Sequence, residues 1–524
     1  MRKRALSAND IPKLILLIAV ILGGWFRFMP AWLADFPVND GGMFYVMIED
    51  LQANGYILPG YTTYNALNIP FMYPPLGFYI GAVAADLFSL PTPLPIIQWA
   101  PGILSAFTVP ILYLLAKEIT GNKLQSAISA LVFALTPHMT AWHSMGGGLT
   151  RSLGICFMML TLVHIHRLFA TNNRKDLFAA ILFGSLTVLS HTEAPLYAIA
   201  IGVYIWAMKF RSTKGLINGI LVAAGVLVFT APWLALVIGR HGIAPLVSAG
   251  QTSLRDAMSV LRLINMDFFT EEPYLDLIGV TGLLGLAILA AKKELFIPGM
   301  FLVIALVNPR STHTVGNIPL AMAAGSLIAG FLPPSLSAED NISARHKGPI
   351  NAYILVAILT PYIFGNLLYY ETILAGRHVS SAERESMQWV TENTPAESAF
   401  LVVTGEVNGF CDPVSEWFPA LTERQSLATL QGNEWIRGNK FGQFLGNIQS
   451  LQSCVNKGLS CILQEAKHLT PDFDYLYISL DPPTLNCDPT DASGLTRSLV
   501  LELRHSPRFE PVFMSQGAAV FRKK

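Results

Sequence analysis

Asp40 stands in Asn39-Asp40-Gly41-Gly42, where small neighbours let a ligand approach the carboxylate closely. Such a group suits a general base that takes a proton from an attacking hydroxyl, or a metal ligand. The plainer reading is a turn, or the N-cap of a helix over 43–53. A second group runs from His143 to Ser152, with Gly146-Gly147-Gly148 just ahead of Arg151. Backbone N–H groups and a guanidinium both suit phosphate oxygens. A flexible loop with an Arg reaching for the membrane surface reads the same way. Third, His191 and Glu193 could line a pocket, or share a divalent metal with Asp40 and His143. A polar turn between helices is the alternative. Fourth, Arg310 in Asn308-Pro309-Arg310-Ser311-Thr312-His313 is another phosphate candidate or an interfacial anchor, and Arg27 is a weaker one of the same kind. Last, Glu416-Trp417-Phe418-Pro419, Arg424 and Gly432-Asn433-Glu434-Trp435 mix aromatic and charged groups, as a sugar or peptide groove does. An ordinary core with a charged surface would do so too.

Composition says what must position these groups. Hydrophobic residues make up 52% of the 524-residue chain and charged residues 13%, against roughly 25% charged in a soluble globular protein. The formal net charge of +0 gives no basic surplus for a nucleic-acid partner. A spanning helix needs about 20 apolar residues. About eleven such stretches occur, at 12–33, 95–116, 123–141, 151–168, 177–192, 195–210, 215–238, 274–291, 295–309, 317–333 and 350–371. The first follows Arg2-Lys3-Arg4 without a small-residue cleavage site and reads as an uncleaved span.

Charge sets the orientation. Lys and Arg fall on alternate loops, from Arg2, Lys3 and Arg4 to Arg345 and Lys347. The opposite loop, 34–94, has no Lys or Arg but carries Asp35, Asp40, Glu49, Asp50 and Asp86. Positive residues stay inside, so the N-terminus is expected in the cytoplasm and residues 373–524 outside. Within the long loop, 41–53 and 75–89 could lie along the membrane surface as helices, broken at Gly55–Gly60. All the candidate groups then share the outer face, which suits chemistry on a lipid phosphate at the interface.

Residues 373–524 have ordinary globular composition. A helix at Ala382–Glu392 and strands at Ala399–Val403, Tyr475–Leu480 and Ala518–Arg522 give a mixed α/β domain. Cys411, Cys454, Cys461 and Cys487 fit two disulfides with three connectivities, Cys454–Cys461 being the expected local pair, or four thiols in a reducing compartment.

The chain resembles the GT-C superfamily of polytopic glycosyltransferases, which includes protein O-mannosyltransferases, the aminoarabinose transferase of lipid A and oligosaccharyltransferase catalytic subunits. The resemblance rests on the acidic first loop with Asp40, Tyr73-Pro74-Pro75-Leu76, and Thr150-Arg151-Ser152-Leu153-Gly154. Arg310 to Ile318-Pro319-Leu320-Ala321, Trp389 to Asn393-Thr394-Pro395, and Glu416-Trp417-Phe418-Pro419 with Arg424 add to it. Two departures matter. Ile155, Cys156 and Phe157 are apolar where oligosaccharyltransferases carry acidic metal ligands, and the Asp of their tryptophan motif is absent. The branch resembled is therefore the mannosyltransferase and aminoarabinose-transferase one, without a required metal.

The resemblance implies a membrane catalytic domain over 1–372 and an extracytoplasmic α/β domain over 373–524. It implies a polyprenyl-phosphate sugar donor whose phosphate meets Arg151 and Arg310. Asp40 would be the base toward a protein, lipid or glycan acceptor, with inversion at the sugar carbon. His143, His191, Glu193, Trp417 and Arg424 would line the pocket. If a divalent metal is used, Asp40, His143, His191 and Glu193 are its candidate ligands. An oligosaccharyltransferase or a lipid-to-lipid transferase is the alternative within the class. A transporter is the alternative outside it, although no paired halves with broken helices are seen. A prokaryotic plasma membrane is the expected location.

Overall fold

The structure, a computed structural model, describes residues 10–252, 277–309, 312–331, 350–469, 472–481 and 493–524. Each of the eleven apolar stretches carries a helix there. They correspond to α1 (Ile11–Leu33), α4 (Leu94–Thr120), α5 (Lys123–Ala134), α7 (Gly148–Thr171), α8 (Arg174–Ser190) and α9 (Ala194–Lys209). The series continues with α10 (Thr213–His241), α12 (Leu277–Ala291), α13 (Phe296–Val307), α14 (Asn317–Phe331) and α15 (Ile350–Ala375). Among the described residues, α1, α4, α7 and α10 are long and apolar enough to cross a membrane by length and composition alone. Their outward surfaces support that use. Leu17, Ile21 and Trp25 on α1 and Leu227, Val228 and Phe229 on α10 are exposed, an apolar belt that water would not tolerate.

One expected span is corrected. The stretch 123–141 breaks after Ala134 and restarts as α6 (Pro137–Ser144). Pro137 lacks an N–H and pushes Thr136 into extended backbone (ψ 113°). The break delivers the glycine run directly onto the N-terminus of α7.

Arg27 is also corrected. It is wholly buried inside the bundle and is used up there. Its guanidinium donates to Ser105 Oγ on α4 and to the carbonyls of Gly23, Ala134 and Phe133. It pins α1 to α4 and α5 and is no phosphate ligand.

The long loop folds as its pattern suggests. α2 (Gly42–Ala53) and α3 (Leu76–Leu87) flank a left-handed break at Gly55 and Tyr56 and a short antiparallel hairpin, β1 (Tyr61–Thr62) with β2 (Ile69–Pro70). Ile80, Val83 and Leu87 on α3, with Phe88 at its C-cap, form an exposed apolar stripe. Their i, i+3, i+7, i+8 spacing fits a helix lying on a membrane surface.

Beyond α15, α16 (Ser381–Asn393) opens with a capping box between Ser380 and Glu383. The sheet runs in the order β4-β3-β5-β7-β6, with β3 (Ala399–Val403) parallel to β4 (Gln425–Ser426) and β5 (Tyr475–Ser479). β7 (Ala518–Lys523) is antiparallel to β5 and to β6 (Phe509–Met514). β3 is buried along its whole length, which fits a central strand covered on both faces. Cys454 and Cys461 are bonded, with Cα atoms 5.4 Å apart. Cys411 is also disulfide-bonded, and Cys156 is a buried free thiol. Cys487 lies outside the described residues.

Core packing ties the first loop to this sheet domain. Phe36, Met43, Tyr45, Ile48 and Phe71 belong to the same buried cluster as Phe400, Trp417 and Tyr477. At the surface, Arg384 grips Asp35 with two hydrogen bonds of 3.1 and 2.6 Å, and His378 adds an Nε2 contact at 3.2 Å.

Candidate active site

Asp40 is held between two left-handed residues, Asn39 (φ 53°) and Gly41 (φ 123°). Asparagine tolerates that region and glycine is free in it. The bend turns the Asp40 side chain toward the glycine run. There Gly147 N–H donates to Oδ1 at 2.8 Å and Arg151 Nη2 to Oδ2 at 2.5 Å. Gly146 N–H also donates to the Val38 carbonyl at 3.1 Å. The glycines are required by distance. A Cβ on Gly147 would lie 2.6 Å from Asp40 Oδ2, and one on Gly146 still closer to the Asp40 carbonyl. The sequence therefore uses Gly146-Gly147 to bring the two loops into contact.

Arg151 is the first inward turn of α7. Its Nη1 donates to the Trp142 carbonyl at 3.1 Å, and its plane lies 5.0 Å from the Trp142 ring. Its primary partner is thus Asp40, with three of its five N–H groups left for other acceptors once each of these two bonds is counted. Arg310, expected as the second phosphate ligand, lies outside the described residues.

Tyr73 forms the next layer. Thr150 Oγ1 donates to its hydroxyl at 3.3 Å, and its ring meets His191 and Trp435 edge-on, with centroids 6.3 and 6.0 Å away. Burial pushes the Tyr73 hydroxyl up to about 12, so it stays protonated as a donor. Beyond it opens a cavity of about 400 Å³. Its polar side holds His191, Glu193 and Asn308, and its walls include Tyr197, Trp233, Leu246 and Trp435. Asn308 Nδ2 donates to Glu193 Oε1 at 3.1 Å, which fixes both at the floor. A cleft with aromatic walls and a few polar groups at one end suits a small polar ligand on an apolar tail.

The expected site residues divide. Asp40 and Arg151 are paired, and His191 and Glu193 line the cavity. His143 is buried on α6, where its carbonyl accepts from Ser152 Oγ at 3.0 Å, and it does not line this cavity. Trp417 and Arg424 are displaced from their expected place. Trp417 is wholly buried against Phe36, ring centroids 4.7 Å apart. Arg424 spends its guanidinium on Thr394 Oγ1 and on the carbonyls of Thr391, Thr394 and Thr422. The candidate metal ligands Asp40, His143, His191 and Glu193 do not converge. Among the described residues no three His, Cys, Asp or Glu side chains group as a metal site.

Tyr73, Trp233 and Asn308 were not expected from sequence as pocket residues, whereas Trp435 was named there within a candidate groove. The Tyr73-Pro74-Pro75 stretch was the available signal, since two prolines fix the backbone that carries the ring.

Comparison with known proteins bears on this arrangement. Residues 72–235 match the family model described as dolichyl-phosphate-mannose-protein mannosyltransferase. No curated protein sequence matches. Among solved structures, the oligosaccharyltransferase AglB of Archaeoglobus fulgidus, in complex with an inhibitory peptide and a dolichol-phosphate, superposes with a TM-score of 0.60 at 15% identity, over 90% of this chain and 69% of that one. ArnT from Cupriavidus metallidurans, bound to undecaprenyl phosphate, gives 0.52 at 15% identity over 97% of both chains. The arabinofuranosyltransferase AftD from Mycobacteria gives 0.53 at 14% identity, over the whole of this chain and 42% of that one.

Proposed function

We propose that this chain, a GT-C superfamily membrane glycosyltransferase by its fold, moves a sugar from a polyprenyl-phosphate-linked donor to an acceptor hydroxyl on the extracytoplasmic face. The observation that carries the reading is the Asp40–Arg151 pair, set one aromatic layer from a cavity with apolar walls and a polar floor. The polyprenyl phosphates bound in the archaeal and Cupriavidus neighbours support the donor class.

The chemistry is a direct displacement. The acceptor oxygen attacks the anomeric carbon, the bond from that carbon to the phosphate oxygen breaks, and the phosphate leaves with the electron pair. The configuration inverts. Asp40 takes the proton of the attacking hydroxyl. Arg151 stabilises charge growing on the leaving phosphate, with Arg310 as its proposed partner. While Arg151 donates to Oδ2, that oxygen is occupied. A phosphate entering beside Arg151 competes for those N–H groups and releases Oδ2 for proton transfer, so donor binding and base activation are linked. His191 and Glu193 contact the sugar. No step is routed through a metal. Residues 1–372 form the membrane catalytic domain, with the N-terminus in the cytoplasm. Residues 373–524 lie outside, cover the site and choose a protein, lipid or glycan acceptor.

The test uses purified protein in lipid, a panel of radiolabelled polyprenyl-phosphate sugars and the Asp40→Asn variant. Loss of label from one donor, reduced about 10³-fold by the variant, is expected. Loss unaffected by the variant would remove Asp40 as base. Stable label with every monophosphate donor, but turnover of a diphosphate-linked oligosaccharide onto peptide, would favour the oligosaccharyltransferase alternative.

A further inference from the structure

We propose that Glu416 and Trp417, from the sheet domain, position Asp40 by holding the two peptide units on either side of it. The proposal rests on the reading of Asp40 as the base. α17 (Pro413–Thr422) carries both residues, and Asp412 caps it by accepting from Ser415 N–H at 3.0 Å. Trp417 Nε1 donates to the carbonyl of Asn39, the peptide before Asp40, at 3.0 Å. Gly41 N–H, the peptide after Asp40, donates to Glu416 Oε1 at 2.8 Å.

Several observations make this more than ordinary domain contact. The backbone at Asp40 runs through two positive-φ residues in three positions, Asn39 and Gly41. Such a bend has alternatives close in energy and needs external bonds to fix it. The bonds available are specific to it. Asn39 N–H donates to the Arg377 carbonyl at 2.6 Å and Asn39 Nδ2 to the Phe410 carbonyl at 3.0 Å, both also beyond α15. Tyr64 Oη donates to the Glu416 carbonyl at 2.6 Å, which fastens the start of α17 to the long loop from its other side. The approach is close, since a Cβ on Gly42 would lie 2.9 Å from the Glu416 carbonyl oxygen. Trp417 is fully buried, and a buried indole N–H requires an acceptor. The acceptor it meets is the peptide next to the base.

The arrangement separates two jobs. Arg151 and Gly147 hold the Asp40 carboxylate, and the first of these must be able to let go when a phosphate arrives. Glu416 and Trp417 hold the backbone, and they need never let go. Once Arg151 lets go, the position of the carboxylate over the acceptor depends on the backbone and on the remaining Gly147 bond to Oδ1. Burial, with the nearby charge of Asp40, pushes Glu416 well above the ordinary carboxylate range. A neutral Gln at that position should therefore keep the Gly41 bond.

The experiment compares Trp417→Phe, Glu416→Ala, Glu416→Gln and Asp40→Asn in the full chain, in lipid, with the polyprenyl-phosphate sugar that the wild type consumes. Trp417→Phe removes the N–H together with part of a fully buried ring, so Glu416→Ala, which leaves that ring untouched, separates loss of the backbone bonds from loss of packing. A drop in kcat of about 10-fold or more is expected for Trp417→Phe and Glu416→Ala, since sub-ångström misplacement of a catalytic group has effects of this order. Donor KM should stay within about twofold, and Glu416→Gln should restore wild-type kcat. Hydrogen–deuterium exchange gives a readout free of any donor. Amides in the peptide over residues 38–45 should exchange faster in Trp417→Phe and Glu416→Ala, but not in Glu416→Gln. Wild-type kcat with unchanged exchange in Trp417→Phe overturns the proposal, as do equal losses in Glu416→Ala and Glu416→Gln. If Asp40→Asn retains full turnover, the base assignment itself fails. If Asp40→Asn is inactive while Trp417→Phe and Glu416→Ala turn over normally, only the positioning role fails.

Discussion

α7 carries an arginine at each end, and each meets a carboxylate, yet the two pairs are built differently. At the start, Arg151 reaches Asp40 from another loop, through glycines that admit no side chain, one layer from a cavity. At the far end, sixteen residues and so about 24 Å along the helix, Arg167 donates to Glu118 of α4 through Nε and Nη2 at 3.0 and 2.7 Å. His164 meets Asp176 of α8 at 2.9 Å on the next turn, and Lys209 Nζ caps the Ile119 carbonyl at 2.7 Å. The far end links neighbouring helices by matched side chains at their tips. The near end places a charged pair where backbone strain and close glycine contacts are both needed. Such costs are kept at sites where geometry serves chemistry.

The largest expected contrast comes from removing the two arginines separately. Arg151→Ala should lower turnover of a polyprenyl-phosphate donor by about 10²–10³-fold, as loss of one charge-stabilising donor does, and should weaken binding of undecaprenyl phosphate. Arg167→Ala should leave turnover within about twofold and cost about 1 kcal/mol of stability or less, as partly exposed pairs do. Side-by-side kinetics and thermal melts in lipid decide it. Equal kinetic effects would mean that the near pair is only another helix link.

A second contrast compares two glycines. Gly147→Ala places a methyl 2.6 Å from Asp40 Oδ2, so the carboxylate must shift, and a loss of about 10-fold or more in kcat is expected. Gly24→Ala on α1 meets nothing within 4 Å, and should be silent in kcat and neutral or slightly favourable for the helix. Wild-type kcat in Gly147→Ala would show that the Asp40 geometry tolerates adjustment.

The sequence carried the helices because eleven long apolar runs have few other uses, and it carried Asp40, Arg151, His191 and Glu193 because each lies at the mouth of such a run. It failed where position depends on packing between distant segments. The break at Thr136 was available in Pro137 but hidden by the hydropathy of the run around it. β6 contains Pro511 and lies at the sheet edge with a register shift, so alternation was a poor guide. Glu416 and Trp417 were legible as a motif but not as partners of Asn39 and Gly41, which precede them by more than 370 residues. Arg424 offered a free charge on paper. Only the fold supplies the three carbonyls that occupy it.

The smallest effect concerns the turn that brings Trp435 to the cavity. Ser248 of α11 (Ala244–Thr252) donates to the Glu434 carbonyl at 2.6 Å, so this turn joins the sheet domain to the membrane helices beside the cavity wall. Burial pushes the Glu434 carboxyl from an ordinary 4.5 up to about 7, against hydrogen bonds from the turn itself that favour the charged form. The sign follows from proton counting. Between about pH 4.5 and 7 the folded chain keeps this proton and the unfolded chain has lost it, so stability falls as pH rises through that window and is flat above it. Glu434→Gln cannot titrate. The melting temperature of the wild type, minus that of Glu434→Gln, should therefore decline from pH 4.5 to 7 and then level off, measured in lipid at constant ionic strength. Turnover above pH 7 should be equal or slightly higher in the variant, because the Trp435 wall is no longer strained by a buried charge. A difference that stays constant across the range would mean that Glu434 is charged throughout, and that the turn is held by its hydrogen bonds alone.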